Sequence, residues 1–435
     1  MLAASAYAAD APVWQNPAVN QQNREPRRAA FFPYESQQLA IKGQKAGSGR
    51  YLSMEGLWKF SFARNYYDRP EGFFKPGYDD SKWTDFPVPG LFEINGYGDR
   101  TYKNVGYSWC NTFKSNPPYI GQTENYVGSY RRTFDLPADW RGSDVFFHVG
   151  SATSNLTLWV NGRYVGYSED SKVAAEFNIT KYLKPGRNLI AMQVMRWCDG
   201  SYLEDQDFWK LTGIAREVYL YSRPETQVTD LFLTPDLVNN YQDGTLDVKL
   251  ETADAKGKTV KFSLKDAEGK EVASQTAQVG KDGKVEVDFE VKNPQKWTAE
   301  TPNLYSLYTT LMDGNEVSEV IRQNVGFRKV EIKNAQVLVN GKPVLFKGVN
   351  RHEMDPLSAY VVSVDRMLQD IQIMKELNVN AVRTCHYPDD PRWYEMCDKY
   401  GIYMVAEANI ESHGMGYGDK TLAKNPDFEK AHLER

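Results

Sequence analysis

The sequence is poor in reactive side chains. Only 5 of its 435 residues are histidine and only 4 are cysteine. Cys110, Cys198, Cys385 and Cys397 lie far apart and form no CxxC pair. They read as mostly free, buried thiols and say nothing about the redox compartment. No run of about 18 apolar residues occurs, so no apolar helix crosses a membrane. Basic charge is not in excess. The 52 Lys and Arg against 57 Asp and Glu leave a net charge of −5, which argues against nucleic acid as a partner, because phosphate binding needs clustered cations.

What is present is apolar and aromatic. Hydrophobic residues make up 41% of the chain, enough for real cores, and the length suits about three domains. Aromatics reach 13%. Flat rings suit sugar faces, but they also fill β-sandwich cores, and the core is the default reading. Ala6-Tyr7-Ala8 has the small-x-small form of a signal-peptidase site. Residues 1–10 therefore read as the remnant of a signal peptide, which makes the protein exported, periplasmic or secreted. Residues 11–45 read as an extended lead-in.

From 46 to 222 the pattern is that of short strands. Leu57–Phe62 alternates with period two, and Leu156–Val160 runs through Asn161-Gly162 into Arg163–Tyr167. Asn-Gly between two such runs is a strong hairpin signal, and many short strands imply a sandwich or jelly roll. Residues 223–329 turn rich in Lys, Asp, Val and Thr, with strands every 8–12 residues as in an immunoglobulin-sized sandwich. From 330 to 435 the pattern alternates: a strand at 344–349, a helix at 364–377, a strand at 380–384, a helix at 390–400 and a strand at 402–406. Such alternation means a parallel sheet, either doubly wound or a (β/α)8 barrel. No glycine-rich phosphate loop follows the first strand, which counts against nucleotide binding.

Three of the five histidines, His352, His386 and His413, fall just beyond successive strand ends. In a (β/α)8 barrel that edge carries the active site, so they point to a shared site. Glu411 and His413 are two apart and share a face in an extended segment. They suit either a divalent cation or a simple hydrogen-bonded pair. Glu353 and Glu407 suit general acid–base work or, preferably, the orientation of the neighbouring His and Arg383. Two clusters in the first sandwich, Tyr102–Tyr107 with Trp109 and Tyr202–Trp209, mix Asn, Asp and Glu with aromatics. That is the composition of a sugar-binding surface, and equally of polar loops capped by core rings.

These residues carry a resemblance. Asn380–Pro388 with Asp398–Tyr403, Gly348–Glu353 and Glu407–Gly414 resemble the signatures of glycoside hydrolase family 2, and within it the large β-galactosidases. The Glu-x-His of the last motif favours that branch over glucuronidases and mannosidases. Trp297–Tyr305 and Val325–Arg328 resemble the family's immunoglobulin-like domain. The resemblance implies a jelly-roll sugar-binding sandwich, an immunoglobulin-like sandwich and the first three β/α units of an incomplete (β/α)8 TIM barrel. It implies that His352 and His386 bind galactose hydroxyls and stabilise the transition state. It implies that Asn104 and Asp207 bind sugar, that Asp207 is a sodium ligand, and that Glu411 and His413 are magnesium ligands. Glu353 and Glu407 do not match the catalytic pair.

The Asn-Glu motif of the family's acid/base and its later nucleophile find no match, so the chain is expected to be an amino-terminal fragment, inactive alone. The complete enzyme is expected to hydrolyse terminal β-galactosides with retention and to be a homo-oligomer. Two other readings stand beside it: a β-glucuronidase-like relative, whose pocket needs basic groups for the substrate carboxylate, and a carbohydrate-binding protein without catalysis.

Overall fold

The computed structural model describes residues 11–435; the signal-peptide reading of residues 1–10 lies outside the described residues. The first domain is a sandwich of antiparallel sheets. A seven-stranded sheet runs Gln21–Gln22, Arg163–Glu169, Asn155–Val160, Arg187–Met195, Val127–Asp135, Gly56–Ala63, Thr84–Val88. Against it packs a four-stranded sheet of Ala175–Asn178, Asp144–Val149, Val218–Arg223 and Tyr51–Ser53. The period-two alternation sends Phe60, Tyr130, Leu158 and Ile190 from one sheet and Phe147, Phe177 and Leu220 from the other into one buried core. Asn161 and Gly162 have φ of 50° and 82°, both positive as a type I′ turn requires. Val160 pairs with Arg163 across that turn.

The lead-in departs from the extended expectation. Gln37–Lys42 is an α-helix, capped by Ser36, whose hydroxyl accepts from the Leu39 amide, and closed by Gly43 at φ 64°. So short a helix shows no period in the sequence. Tyr34 bridges Val320 and packs with Ala40 and Tyr308, while Phe32 packs with Tyr51 and Tyr221 of the first sandwich, so this segment straps the second sandwich to the first. The second sandwich has a three-stranded sheet, Gln227–Val238, Asp243–Ala253, Lys284–Val291, and a four-stranded one, Glu271–Gln278, Thr259–Lys265, Tyr305–Asp313, Glu316–Val325. Strand Lys284–Val291 alternates buried and exposed residues without exception, and Asp243–Ala253 does so over most of its length.

The third region is a parallel three-stranded sheet in the order β1 (Gly348–Arg351), β2 (Ala381–Thr384), β3 (Tyr403–Val405). Helix α1 (Val364–Glu376) connects the first two strands and α2 (Pro391–Tyr400) the last two. Each helix starts on a side-chain cap, Ser363 for α1 and Asp390 for α2, of a kind worth about 0.5–2 kcal/mol. Gly401 ends α2 at φ 74°, and a Cβ there would meet the Ala299 carbonyl at 2.3 Å. Glycine is thus required by both backbone and neighbour. The first strand starts later than the sequence suggests. The Asn380 side chain accepts from the Lys347 amide and donates to the Leu345 carbonyl, replacing the ladder there.

The first sandwich meets the third region through buried charge. Arg216, just before strand Val218–Arg223, donates to Glu353 at 2.7 Å, and the two side chains are 4% and 2% exposed. Arg216 also donates to the Lys172 and Pro388 carbonyls, and Glu353 accepts from the Asp390 amide at 2.7 Å. Glu353 therefore orients neither His352 nor Arg383, contrary to the sequence expectation; it fastens two domains. Removing one partner strands a buried charge, at a cost of about 3–5 kcal/mol. Chemical denaturation of Glu353→Ala is expected to show a loss of that size, partly recovered in the Arg216→Met, Glu353→Leu double variant. An unchanged midpoint in the single variant would contradict this.

Candidate active site

A polar residue stands just beyond the end of each strand of the parallel sheet. His352 follows β1, His386 stands two residues beyond β2, and Glu407 stands two beyond β3. The parallel register brings these ends to one edge: Arg351 pairs with Thr384, and Arg383 with Val405. The rings of His352 and His386 meet edge to face with centroids 5.4 Å apart. Glu407 accepts from Arg383 Nε at 2.5 Å and contacts His386 Nδ1 at 3.1 Å. With the carboxylate ionised, that contact puts the proton on Nδ1, and in the neutral ring Nε2 is left as an acceptor.

His352 Nδ1 lies 3.2 Å from the Tyr387 hydroxyl. Burial holds that phenol well above its usual pKa, so it stays protonated. When the hydroxyl donates, His352 carries its proton on Nε2 as a donor. The two histidines then offer one donor and one acceptor, a set suited to adjacent hydroxyls.

The first sandwich supplies the facing wall. Phe208–Lys210 pairs with Thr101–Lys103, Phe208 opposite Lys103, which puts Asp207 and Asn104 just beyond the pair, one on each strand's continuation. Phe208 stacks on His352 at 3.7 Å, and the Tyr102 hydroxyl donates to Asp207 Oδ1 at 3.3 Å. The loop after β3 is pinned from the same side: the Glu411 amide donates to the Leu203 carbonyl, the Asp205 amide to the Glu411 carbonyl, and the Gly414 amide to the Asp205 carboxylate. Glu411 Oε1 and His413 Nδ1 thereby sit 3.1 Å apart. The segment is not extended throughout, because His413 opens a 3-10 turn, yet the two side chains meet.

A cavity of about 540 Å³ is lined by Asp207, Arg383, His386, Glu407, Ala408, Ile410, Glu411 and His413. His352 borders it through His386, and Asn104 is exposed just beyond the adjacent two-stranded ladder. The aromatic clusters divide. Tyr107, Trp109 and Tyr202 are core, packed with Trp197, Leu422 and Phe428. Tyr102 is half exposed beside Asp207. Phe208 stood in the Tyr202–Trp209 cluster, though nothing in the sequence paired it with His352. Lys172 gave no signal; its Nζ lies 3.9 and 4.2 Å over the rings of Tyr360 and Tyr387. Burial pushes Lys172 down to about 8 against the pull of Glu353.

Three carboxylates and one arginine line the cavity, and that arginine is paired with Glu407. The lining is net acidic. The Glu411 carboxylate suits a hard cation, whereas the His413 imidazole is a less usual partner for magnesium; adjacent ligands of an octahedral magnesium ion with bonds of 2.0–2.1 Å are about 3 Å apart, close to the Glu411–His413 separation of 3.1 Å. The remaining positions of a magnesium shell would face the open cavity, where water serves. Asp207 offers one carboxylate, suited to a single ligand position of a sodium ion.

The architecture is a multidomain β and α/β protein with a polar site between its first and third domains. Three models tile it: the sugar binding domain of glycosyl hydrolases family 2 over residues 51–224, a second family 2 domain over 226–328, and the family's TIM barrel domain over 330–435. The chain belongs to glycosyl hydrolases family 2. It is 40% identical over 415 residues to a beta-galactosidase of Priestia megaterium, covering 93% of this chain and 40% of that protein. With a beta-galactosidase of Streptococcus thermophilus it shares 42% over 363 residues, 83% of this chain and 35% of that protein. The chain thus spans about 40% of the length of the first of these relatives. Its fold matches that of Bifidobacterium dentium beta-glucuronidase with a TM-score of 0.75 at 20% identity, over 89% of this chain and 65% of that one. A beta-glycosidase from Bacteroides vulgatus matches at 0.70 and 23%, over 89% and 49%.

Burial pushes His352 down to about 4, helped by His386 and Lys172 and opposed by Asp207. An ordinary histidine titrates near pH 6.5, so between about 4 and 6.5 the unfolded chain binds the extra proton and acid destabilises the fold. In an NMR titration the His352 ring signals are expected to stay flat from pH about 8 to about 5.5. A midpoint near the ordinary value would contradict this.

Proposed function

We propose that this chain forms the sugar-recognising part of a retaining β-galactosidase that hydrolyses terminal non-reducing β-galactosides. The observation that carries the reading is the net-acidic cavity, in which the one arginine of the lining is already paired with Glu407. A neutral galactosyl ring fits such a lining, and a uronate carboxylate would meet like charge without a free cation. The beta-galactosidase relatives at 40–42% identity support the same choice.

In this reading His352 donates to one sugar hydroxyl and His386 accepts from another, with Glu407 fixing the tautomer of His386 and Phe208 the plane of His352. Asp207 and Asn104 reach the ring from the first sandwich. These bonds shorten as charge develops on the oxocarbenium-like ring, which is how they favour the transition state over the ground state. The attacking and protonating carboxyls are those of the whole protein; Glu353 and Glu407 are engaged with Arg216 and Arg383 and serve neither role. Glu411 and His413 would hold magnesium and Asp207 one side of a sodium ion; magnesium supplies positive charge that tunes a nearby acid. We also propose that the protein is exported and that the whole enzyme is a homo-oligomer, to be checked by cell fractionation and sedimentation equilibrium.

The test compares aryl β-galactoside with aryl β-glucuronide on the full-length protein. Galactoside is expected to be preferred; preference for the glucuronide would overturn the reading. Asp207→Asn should lower kcat/KM by about 10- to 150-fold, the size of a hydrogen bond to a charged group, about 1.5–3 kcal/mol. If calorimetry shows tight galactose binding by this chain but the full-length protein never turns over a galactoside, the carbohydrate-binding alternative replaces it. Chelation is expected to lower kcat and added magnesium to restore it. Glu411→Gln should be slow with or without chelator, and a Glu411→Gln enzyme that still responds would place the cation elsewhere.

A further inference from the structure

Cys385 has no role in the function just described, yet it stands between the residues that do. It lies between Thr384, the end of β2, and His386, with a free thiol in a residue 3% exposed. One ring nitrogen from each of His352 and His386 and the Cys385 sulfur all lie within 4.8 Å of one another. Among the described residues this is the one group of three with the spacing of metal ligands.

The donor set has a definite preference. Magnesium and sodium favour oxygen; two imidazoles and a thiolate favour zinc and related borderline or soft ions. Zinc binds nitrogen at about 2.0–2.1 Å and sulfur at about 2.3 Å in a tetrahedron, and three protein ligands with an open fourth position are a common arrangement. Tetrahedral ligands stand about 3.3–3.8 Å apart, so closing the group takes shifts of about 1 Å. The surroundings are those of a metal-binding histidine. Glu407 backs His386 at Nδ1, which orients the ring and raises the basicity of the other nitrogen. Phe208 and the Tyr387 hydroxyl fix His352.

We propose that His352, Cys385 and His386 bind a divalent transition-metal cation of the zinc type. On binding, the Cys385 S–H bond breaks and its proton leaves to solvent, the His352 ring takes the tautomer with its proton on Nδ1, donated to the Tyr387 hydroxyl, which frees Nε2, and a sulfur–metal bond forms with no change in oxidation state. The same two imidazoles then cannot meet a sugar, so the metal excludes the galactoside. That exclusion rests on the galactosidase reading; the metal site itself rests on the geometry.

Cobalt(II) is the probe and zinc the competitor, on the full-length protein stripped with chelator. A thiolate-to-cobalt charge-transfer band in the near ultraviolet is expected, and zinc should displace it. Cys385→Ser should abolish the band, with circular dichroism reporting that the variant is folded, and Glu407→Gln should weaken zinc by about 10- to 100-fold. His413→Ala, which removes the neighbouring hard-cation donor, should keep the band. No band in the unaltered protein, or a band that survives Cys385→Ser, would overturn the site. Galactose competition is read separately: zinc bound through Cys385 but indifferent to galactose would overturn the overlap with sugar while the metal site stands.

Discussion

The site depends on one buried ion pair. Arg216 belongs to the first sandwich and Glu353 to the loop after β1, and neither reaches solvent. Taking both charges out of water is costly, and an apolar pair recovers part of what the loss of one partner removes. What the pair adds is direction. Arg216 also grips the Lys172 and Pro388 carbonyls, and Glu353 also receives the Asp390 amide. That fixes the loop carrying His352, the turn after His386 and the cap of α2 relative to one point on the sandwich. A second pair continues inward, Arg351 to Asp389 at 2.9 Å, with the Arg351 guanidinium 3.7 Å over Trp393.

From that anchor the charge pattern of the cavity follows. The cations near the site are engaged: Arg383 with Glu407, Arg216 with Glu353, Lys172 over two tyrosine rings. The carboxylates Asp207 and Glu411 face the open space. Lys172 and His386 both discourage a proton on His352, so that ring recognises by hydrogen bonding rather than by charge. An acidic lining edged by imidazoles can hold hydroxyls, hard cations at its carboxylate end and, at Cys385, a softer one.

Much of this was legible in the sequence, for local reasons. Asn161-Gly162 announced a hairpin because only that backbone twist joins the two strands. The apolar spacing of 364–377 and the strand at 380–384 announced a parallel sheet, and with it one edge where His352 and His386 meet. Features set by contacts between distant segments were not legible. Glu353 looked like a partner for its neighbours, but its partner is 137 residues away. Tyr107 and Trp109 read equally as sugar platform or core until residues 422 and 428 were seen to cover them. The helix at Gln37–Lys42 is too short to show a period and is held by its caps and the Tyr34 contact with Val320.

The central claim is that side chains from two domains act on one sugar. A double-mutant cycle in kcat/KM for a β-galactoside, between Asp207→Ala of the sandwich and His386→Ala of the parallel sheet, measures it directly. Joint action predicts a coupling energy of about 0.5–3 kcal/mol. Effects that add to within about 0.3–0.5 kcal/mol would mean that the two residues serve separate sites.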